Sequence, residues 1–398
     1  MNRRAGRAVL LAVVALHLVA DNALSPFYPQ LFAGLFGVTD LSATGTYVWA
    51  CRAAALLALP LWGLASRRWA AHHLVVAGLL ASSVLDVAVA FAPTYAVFTV
   101  LSVALVATTT SMALAYPALV ALGDGGHLTE VRSFAVVTQV ATIVATLVGA
   151  GIMALPSVRP GLAAFALVDL VLAWCCHRIL GGRRGVAPFA VVTRPAAERH
   201  PAVLRAVALV ALVVLVAEVG RSVVRPFFTA YAGAAGLGGL TAALLFLLPS
   251  VAVLTVLPFA AAVRRWLGRA LLPAAFLLAA AGLAVQAVDA HLAVLVAGRL
   301  LFGAGLGFGY LALDLWVFAA TRAEGSAFAA VETARSAALL LSPVVATGAA
   351  TVALSLPLIV GAAVFTVLAV VLAADRRPTR TTTPTPPLEE TRVAQPVR

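Results

Sequence analysis

Long, uninterrupted apolar runs are the feature that most constrains the fold of this chain. Runs of about 20 apolar residues alternate with short segments that carry Arg, Gly and Pro. As an α-helix, a run of that length spans the roughly 30 Å hydrocarbon core of a bilayer. Of the 398 residues 63% are hydrophobic and only 11% are charged, whereas soluble domains are about 25% charged. The runs are solid rather than alternating, which disfavours a β-barrel. The sequence therefore predicts an all-α polytopic membrane protein.

Twelve such runs predict twelve transmembrane helices. In the first half they lie near residues 8–28, 44–64, 73–92, 95–118, 133–155 and 161–179. In the second half they lie near residues 204–228, 240–262, 270–288, 292–315, 327–350 and 356–374.

The distribution of basic residues predicts the orientation. All 27 basic residues are Arg, and with 15 acidic residues they give a net charge of +12. If the amino terminus is inside, 21 of the 27 lie in cytoplasmic segments, five lie within spans, and Arg159 alone lies outside. This positive-inside pattern predicts a multi-pass protein of the cytoplasmic (inner) membrane with both termini in the cytoplasm. The basic loops are short and lack interleaved aromatic residues, so nucleic-acid binding is not expected.

A weak internal duplication divides the chain into two halves. The segment SRRWAAH at Ser66–His72 matches VRRWLGR at Val263–Arg269, and Asp21 aligns with Glu218 at the same shift. In the same order along the chain, PFY at Pro26–Tyr28 matches PFF at Pro226–Phe228, and SFA from Ser133 matches AFA from Ala327. The first 20 residues have the basic and apolar regions of a signal peptide. Cleavage would leave the Glu218 repeat without its counterpart, so we expect the first span to be retained.

The duplication predicts two pseudo-symmetric six-helix bundles. We expect the first bundle over residues 1–180, a cytoplasmic linker over 181–203 and the second bundle over 204–375. Residues 376–398 contain too few apolar residues to form a core and are predicted to be a disordered cytoplasmic tail.

Twelve spans, a six-plus-six repeat and a basic turn after the second span resemble the major facilitator superfamily. The family carries Gly-x-x-x-Asp-Arg-x-Gly-Arg-Lys in that turn, where this chain has GLASRRWAAH from Gly63, with Arg67 at the Asp position and Arg68 at the Arg position. The Arg-x-x-x-Gly-x-Gly pattern of proton-driven antiporters occurs in the tenth span, as RLLFGAG from Arg299, rather than in the fourth. PFYPQLF at the end of the first span is similar to drug-efflux members. The resemblance implies two bundles that rock around a midplane site.

Charged residues inside the spans are the candidates for function, because a charge at mid-bilayer costs about 3 kcal/mol unless it faces a partner or a cavity. Three groups of residues are expected to act together. The candidates for proton coupling are Asp21, Glu218, Asp314 and Glu332. The candidates for the substrate cavity are His17, Asn22, Arg52, Arg221, Arg225, Tyr310 and Arg335. The candidates for the gating loops are Gly63, Arg67, Arg68, Arg264 and Arg265.

Structural alternatives remain open for several of these residues. Asp21 could pair with Arg52, or cap the helix that restarts at Pro26. Glu218 and Arg221 stand three residues apart and could form a neutral internal pair. The glycines of the tenth span are typical of close helix packing.

The sequence predicts a secondary transporter that moves a small molecule by alternating access. The preferred version is a proton-coupled antiporter that exports an amphipathic or drug-like compound, and the alternative is a proton-coupled uptake symporter. No phosphate-binding Gly-x-x-x-x-Gly-Lys-Ser/Thr loop is present, and no cofactor or metal is predicted. The expected partners are the substrate, protons and the lipid bilayer, without an obligate protein partner. An integral-membrane enzyme is the less favoured class, because neither His nor Asp residues cluster along the chain.

Overall fold

The computed structural model describes residues 3–115, 127–180, 201–321 and 325–374, and every regular element in these ranges is helical. In the first half the α-helices are α1 (Arg3–Asn22), α2 (Tyr28–Phe36), α3 (Leu41–Ala65), α4 (Ala71–Ala90), α5 (Tyr95–Thr109), α6 (His127–Met153), α7 (Val158–Ala163) and α8 (Phe165–Leu180). In the second half they are α9 (Pro201–Ser222), α10 (Phe228–Ala234), α11 (Gly239–Val256), α12 (Ala260–Leu267), α13 (Leu271–Val288), α14 (Leu292–Thr321), α15 (Gly325–Val352) and α16 (Leu356–Ala374). The predicted linker lies almost wholly, and the predicted tail wholly, outside the described residues.

The helices have the length and composition that a membrane requires. Nine stretches of the described chain are long and apolar enough to cross a bilayer, and one of them, Gly239–Val288, contains both α11 and α13. Two further helices are also long enough to cross a bilayer. They are α1, with 20 residues, and α9, with 22. Each of the twelve predicted spans therefore corresponds to a long helix, and the chain is a multi-pass membrane protein.

Prolines place two helix ends before the predicted ones. The first span was expected to reach residue 28, but α1 ends at Asn22 and a 3₁₀ turn at Ser25–Phe27 precedes α2. Pro26 lies in that turn, where its missing N–H and fixed φ prevent α1 from continuing. The eighth span was expected to reach residue 262, but α11 ends at Val256, just before Pro258.

The fourth span also ends differently from the prediction. It was expected to reach residue 118, but α5 ends at Thr109 and continues as a 3₁₀ helix over Thr110–Ala115. Thr108 and Thr110 donate their hydroxyls to carbonyls of their own helix, at 2.7 Å each, which is the arrangement that the sequence TTTS at Thr108–Ser111 predicts. Such bonds are neutral or unfavourable to a straight helix. The sequence also predicts a kink at Pro117, which lies outside the described residues.

Each half has its own apolar core. In the first half α4 packs against α5 and α8, and α1 packs against α6 and α8. In the second half α13 packs against α14 and α16, α11 against α14, and α9 against α15. The second half buries one large cluster that includes Phe276, Phe302 and Phe365. The first half buries two smaller clusters, one around Leu79 and one around Phe32.

The two halves contact each other at the end opposite the chain termini. The helices that pack across the boundary are α3 with α15 and α6 with α11. The Gln30 amide donates to the Thr229 hydroxyl at 3.2 Å, and that hydroxyl donates to the Pro26 carbonyl. At the same end, Gly45 of α3 lies against Thr347 of α15, where a Cβ would stand only 1.7 Å from the threonine hydroxyl. The absence of a side chain at Gly45 therefore allows this close approach.

A short capping motif starts α3 at this end. The Asp40 carboxylate accepts a hydrogen bond from the Ser42 amide at 2.9 Å and another from the Ser42 hydroxyl. Asp40 thus satisfies an amide that the helix itself leaves unpaired. These bonds to the ionised form hold the pKa of Asp40 below its usual value.

Candidate functional site: a charge network in the second half

Glu218 is the most deeply buried acid of the predicted set, with 1% of its surface exposed. It lies on α9 one turn before Arg221, and the two side chains form an ion pair. Tyr310 of α14 donates its hydroxyl to the second Glu218 oxygen at 3.2 Å. The Arg221 guanidinium also stacks over the Tyr310 ring, with its Cζ atom 5.4 Å from the ring centroid. The pair that the sequence spacing allowed is thus present, and it is joined to a second helix.

A second ion-pair group joins α14 to α15. Arg335 donates to the Asp314 carboxylate at 3.2 Å, and its Nε atom lies 3.5 Å from the Glu332 carboxylate. Between 28% and 44% of each of these side chains is exposed, in contrast to Glu218. Electrostatic interaction also links Arg335 to Glu218. We call these six residues the C-half network: Glu218, Arg221, Tyr310, Asp314, Glu332 and Arg335.

Arg221 retains donor capacity that the network does not use. Its Nε atom is buried and has no hydrogen-bond partner among the described residues. Just beyond the end of α9, Arg225 lies over the Phe246 ring, with its Cζ atom 5.9 Å from the ring centroid, and it interacts electrostatically with Arg221 and with Arg52 of the first half. Arg225 thus lies within electrostatic range of one arginine from each half.

The first-half candidates are arranged differently. Asp21 and Arg52 are both exposed, and neither forms an ion pair with any residue that the structure describes. His17 is half-buried on α1, one turn before Asp21. The side-chain amide of Asn22 donates to the Leu18 carbonyl of its own helix at 2.9 Å. The structure therefore does not contain the Asp21–Arg52 pair that the sequence left open.

The gating-loop candidates lie at the end that carries the chain termini. Gly63 is near the end of α3, and Arg67 and Arg68 follow in the turn before α4. Arg264 and Arg265 occupy the last turn of the short helix α12. All four arginines are exposed, as expected for a membrane-proximal basic turn.

Arg299 was not selected from the sequence, although it is among the most buried charged residues described, with 3% exposed. Its Nε atom donates to the Leu245 carbonyl at 3.0 Å, and another guanidinium nitrogen donates to the Phe246 carbonyl at 2.8 Å. Pro249 lies inside α11 and has no N–H to offer the carbonyl four residues earlier, that of Leu245. The guanidinium also stacks on the Phe228 ring, 3.9 Å from its centroid. The sequence signal for this structural role is Pro249, because a proline inside a helix leaves the carbonyl four residues earlier without its helical hydrogen bond.

The glycines of α14 confirm the close packing that their spacing predicts. A Cβ on Gly303 would stand 2.5 Å from Pro249, and one on Gly305 would stand 2.4 Å from the Ala279 amide nitrogen. Gly303 thus brings α14 against α11, and Gly305 brings it against α13. Within the described ranges, no group of three or more His, Cys, Asp or Glu side chains is arranged to hold a metal ion.

Neither a protein-family model nor a curated protein matches the sequence. Solved structures do match the fold. A point mutant of the nucleoside transporter NupG aligns over 94% of this chain and 100% of its own, with a TM-score of 0.69 and 11% identity. Unmutated NupG aligns over 94% and 99%, with a TM-score of 0.67 and 12% identity. The human organic anion transporter MFSD10 (TETRAN) aligns over 94% and 100%, with a TM-score of 0.62 and 16% identity.

These matches establish the fold. The chain is an all-α polytopic membrane protein with the major facilitator superfamily fold of two six-helix bundles. The structures that it resembles are transporters rather than enzymes. At identities of 11 to 16%, the substrates of those proteins say nothing specific about this one.

Proposed function

We propose that this protein is a secondary transporter that moves a small molecule across the cytoplasmic membrane by alternating access. The observation that carries the proposal is the buried part of the C-half network. There Glu218, Arg221 and Tyr310 hold buried charge at the boundary between α9 and α14. Buried charges in a membrane protein commonly mark the path of a substrate or ion. The fold supplies two halves that can rock about such a site.

The arrangement of the halves supports entry of substrate from one side. The halves are joined at the end opposite the termini, through Gln30, Thr229, Gly45 and Thr347. The positive-inside pattern assigns the termini to the cytoplasm. In this conformation the site would therefore be reached from the cytoplasm, which is where an exporter loads its substrate and an uptake symporter releases it. Of the two directions we propose export.

Proton coupling follows from the acids of the network and of α1. In this proposal Asp21, Glu218, Asp314 and Glu332 exchange protons, while Arg221, Arg225, Arg335 and Arg52 contact substrate together with His17, Asn22 and Tyr310. The loop arginines at positions 67, 68, 264 and 265 contact the membrane surface and the moving ends of the halves. The unused donor at Arg221 Nε favours a substrate with an acceptor oxygen or nitrogen. An amphipathic, drug-like compound fits both this donor and the apolar surroundings.

Everted vesicles that hold a pH gradient test the proposal. A panel of amphipathic compounds is added, and dissipation of the gradient is recorded for the parent, Glu218→Gln and Asp21→Asn. We expect at least one compound to dissipate the gradient in the parent, and Glu218→Gln to reduce the rate at least tenfold. Asp289→Asn is the matched control, because Asp289 is exposed and interacts locally with the His291 amide.

Three outcomes would contradict parts of the proposal. If no compound dissipates the gradient, proton-coupled export is wrong. If a compound is moved at the same rate by Glu218→Gln, the network is not the coupling site. If labelled compound accumulates in whole cells instead of leaving them, the protein is an uptake symporter.

A further inference from the structure

Two buried acids in the first half lie apart from the C-half network. Asp86 on α4 is 8% exposed and Asp169 on α8 is 3% exposed. One carboxylate oxygen of Asp169 is fully buried and has no hydrogen-bond partner among the described residues. Neither acid forms an ion pair with a described residue. Two uncompensated carboxylates would be costly in a membrane interior.

The packing of α4 against α8 places the two acids at the same level. The helices run in opposite directions and share the apolar cluster that contains Leu79 and Leu172. Asp86 lies four residues before the end of α4, and Asp169 lies four residues after the start of α8. At about 1.5 Å per residue, both lie roughly 6 Å from the helix ends opposite the chain termini. Asp169 lies near enough to Asp86 for its charge to act on that acid.

The surrounding elements supply little positive charge. Asp21 of α1 acts on both acids, and its effect is repulsive. Arg159 of α7 is at the same end, but its Nη1 atom donates to the carbonyls of Ala90 and Ala92 at 2.9 and 3.1 Å. The other titratable groups described on the elements packed here are Tyr95, which donates to the Ala43 carbonyl, and, further along the helices, His17, His72, His73, Cys175, Cys176, His177 and Arg178.

We propose that Asp86 and Asp169 form a proton-binding site, in which at least one of the two carboxyls is protonated in this conformation. Protonation removes one of two like charges from an apolar interior in which neither acid has an ion-pair partner among the described residues. The proton comes from water, and the more exposed Asp21 is the acid through which water can reach the pair.

The site is distinct from the substrate path proposed above. The helices α4 and α8 pack against α1, α5 and α7, whereas α3, α6, α11 and α15 form the boundary between the halves. The role of the site in transport rests on the proposed function, but its protonation does not. In a transporter, a proton held here would leave when movement of α1 or α8 admits water to the pair.

Infrared difference spectroscopy of the purified protein in lipid, without substrate, tests for the proton directly. Spectra recorded between neutral and alkaline pH, in H₂O and in D₂O, show the C=O stretch of a protonated carboxylic acid. We expect an exchangeable band in the parent and its loss in Asp86→Asn/Asp169→Asn. Asp289→Asn, which changes an exposed acid, should retain the band.

The single variants keep the test decisive if the double variant does not fold. Asp86→Asn and Asp169→Asn each leave one carboxyl, and in both the band should shift or disappear. The proposal is overturned if the parent lacks the band, or if the variants show it unchanged. A band that depends on the pair, in a protein that moves no compound in vesicles, would support the site and reject the transport function. Transport of a compound by a protein that lacks the band would reject the site alone.

Discussion

The two halves share a fold but handle their buried charges in different ways. In the second half, Glu218 and Arg221 are paired and the network continues to Tyr310. In the first half, the repeat counterpart Asp21 is exposed, and the buried acids Asp86 and Asp169 have no basic partner among the described residues. Paired charge gives a fixed structure, whereas unpaired acid must be hydrated or protonated. The second half therefore compensates its buried acid with a basic partner, whereas the buried acids of the first half have no such compensation among the described residues.

The largest expected effect comes from breaking the pair in the second half. Glu218→Gln leaves Arg221 without its counter-charge, and we expect the free energy of unfolding to fall by about 3 kcal/mol. Thermal unfolding in detergent measures the change. Asp21→Asn, at the repeat-related position, should shift the melting temperature little because Asp21 is exposed. Equal losses in the two variants would mean that the halves do not differ in this way.

Arg299 tests whether charge in the second half also supports the backbone. Arg299→Leu removes the donors to the Leu245 and Phe246 carbonyls, and we expect a loss of about 2 kcal/mol in unfolding free energy. Arg225→Leu is the control, since the Arg225 guanidinium lies 5.9 Å from the centroid of the Phe246 ring but its side chain makes no hydrogen bond to a backbone carbonyl that the structure describes. Similar melting temperatures for both variants would contradict this role.

The contact between the halves gives a smaller effect that concerns conformation. Gly45→Ala places a Cβ against the Thr347 hydroxyl, and overpacking of this kind costs about 1 to 3 kcal/mol. The population with the halves joined at this end should fall several-fold or more, as measured by the distance between spin labels on α3 and α15. Gly348→Ala, next to Thr347 but with open space around its Cβ, should leave the distribution unchanged.

The smallest effect is expected at the cap of α3. The lowered pKa of Asp40 means that its hydrogen bonds to Ser42 stabilise the fold above the unfolded pKa of about 3.8. That stabilisation is lost as the pH falls through the lower folded pKa. Asp40→Ala should therefore lower the melting temperature slightly at neutral pH and not at all in strong acid. A decrease that persists in acid would show that the carboxylate is not its source.

Much of the fold was predictable from the sequence because a bilayer imposes helix length. Each long apolar run became a helix, and the six-plus-six repeat predicted the two bundles. The helix ends near Pro26 and Pro258 were less accurate, because apolar residues continue past the point where the backbone turns. Hydropathy reports burial in lipid and does not report where a helix stops.

The candidate site was predicted where its contacts are local. Pairs three residues apart, such as Glu218 with Arg221 and Glu332 with Arg335, followed from helical spacing. The bond from Arg335 to Asp314 spans two helices and required the fold. The Asp86–Asp169 neighbourhood also joins distant segments, so no spacing rule could bring the two acids together.

The Arg299 side chain has a mechanical consequence for the second half. It donates to the carbonyl of α11 that Pro249 cannot serve, so the backbone of α11 at this proline is tied to a neighbouring helix. Gly303 adds direct backbone contact at the same place. The two helices should then move as a single rigid unit, and relative movement during a conformational cycle should occur where α11 meets α6.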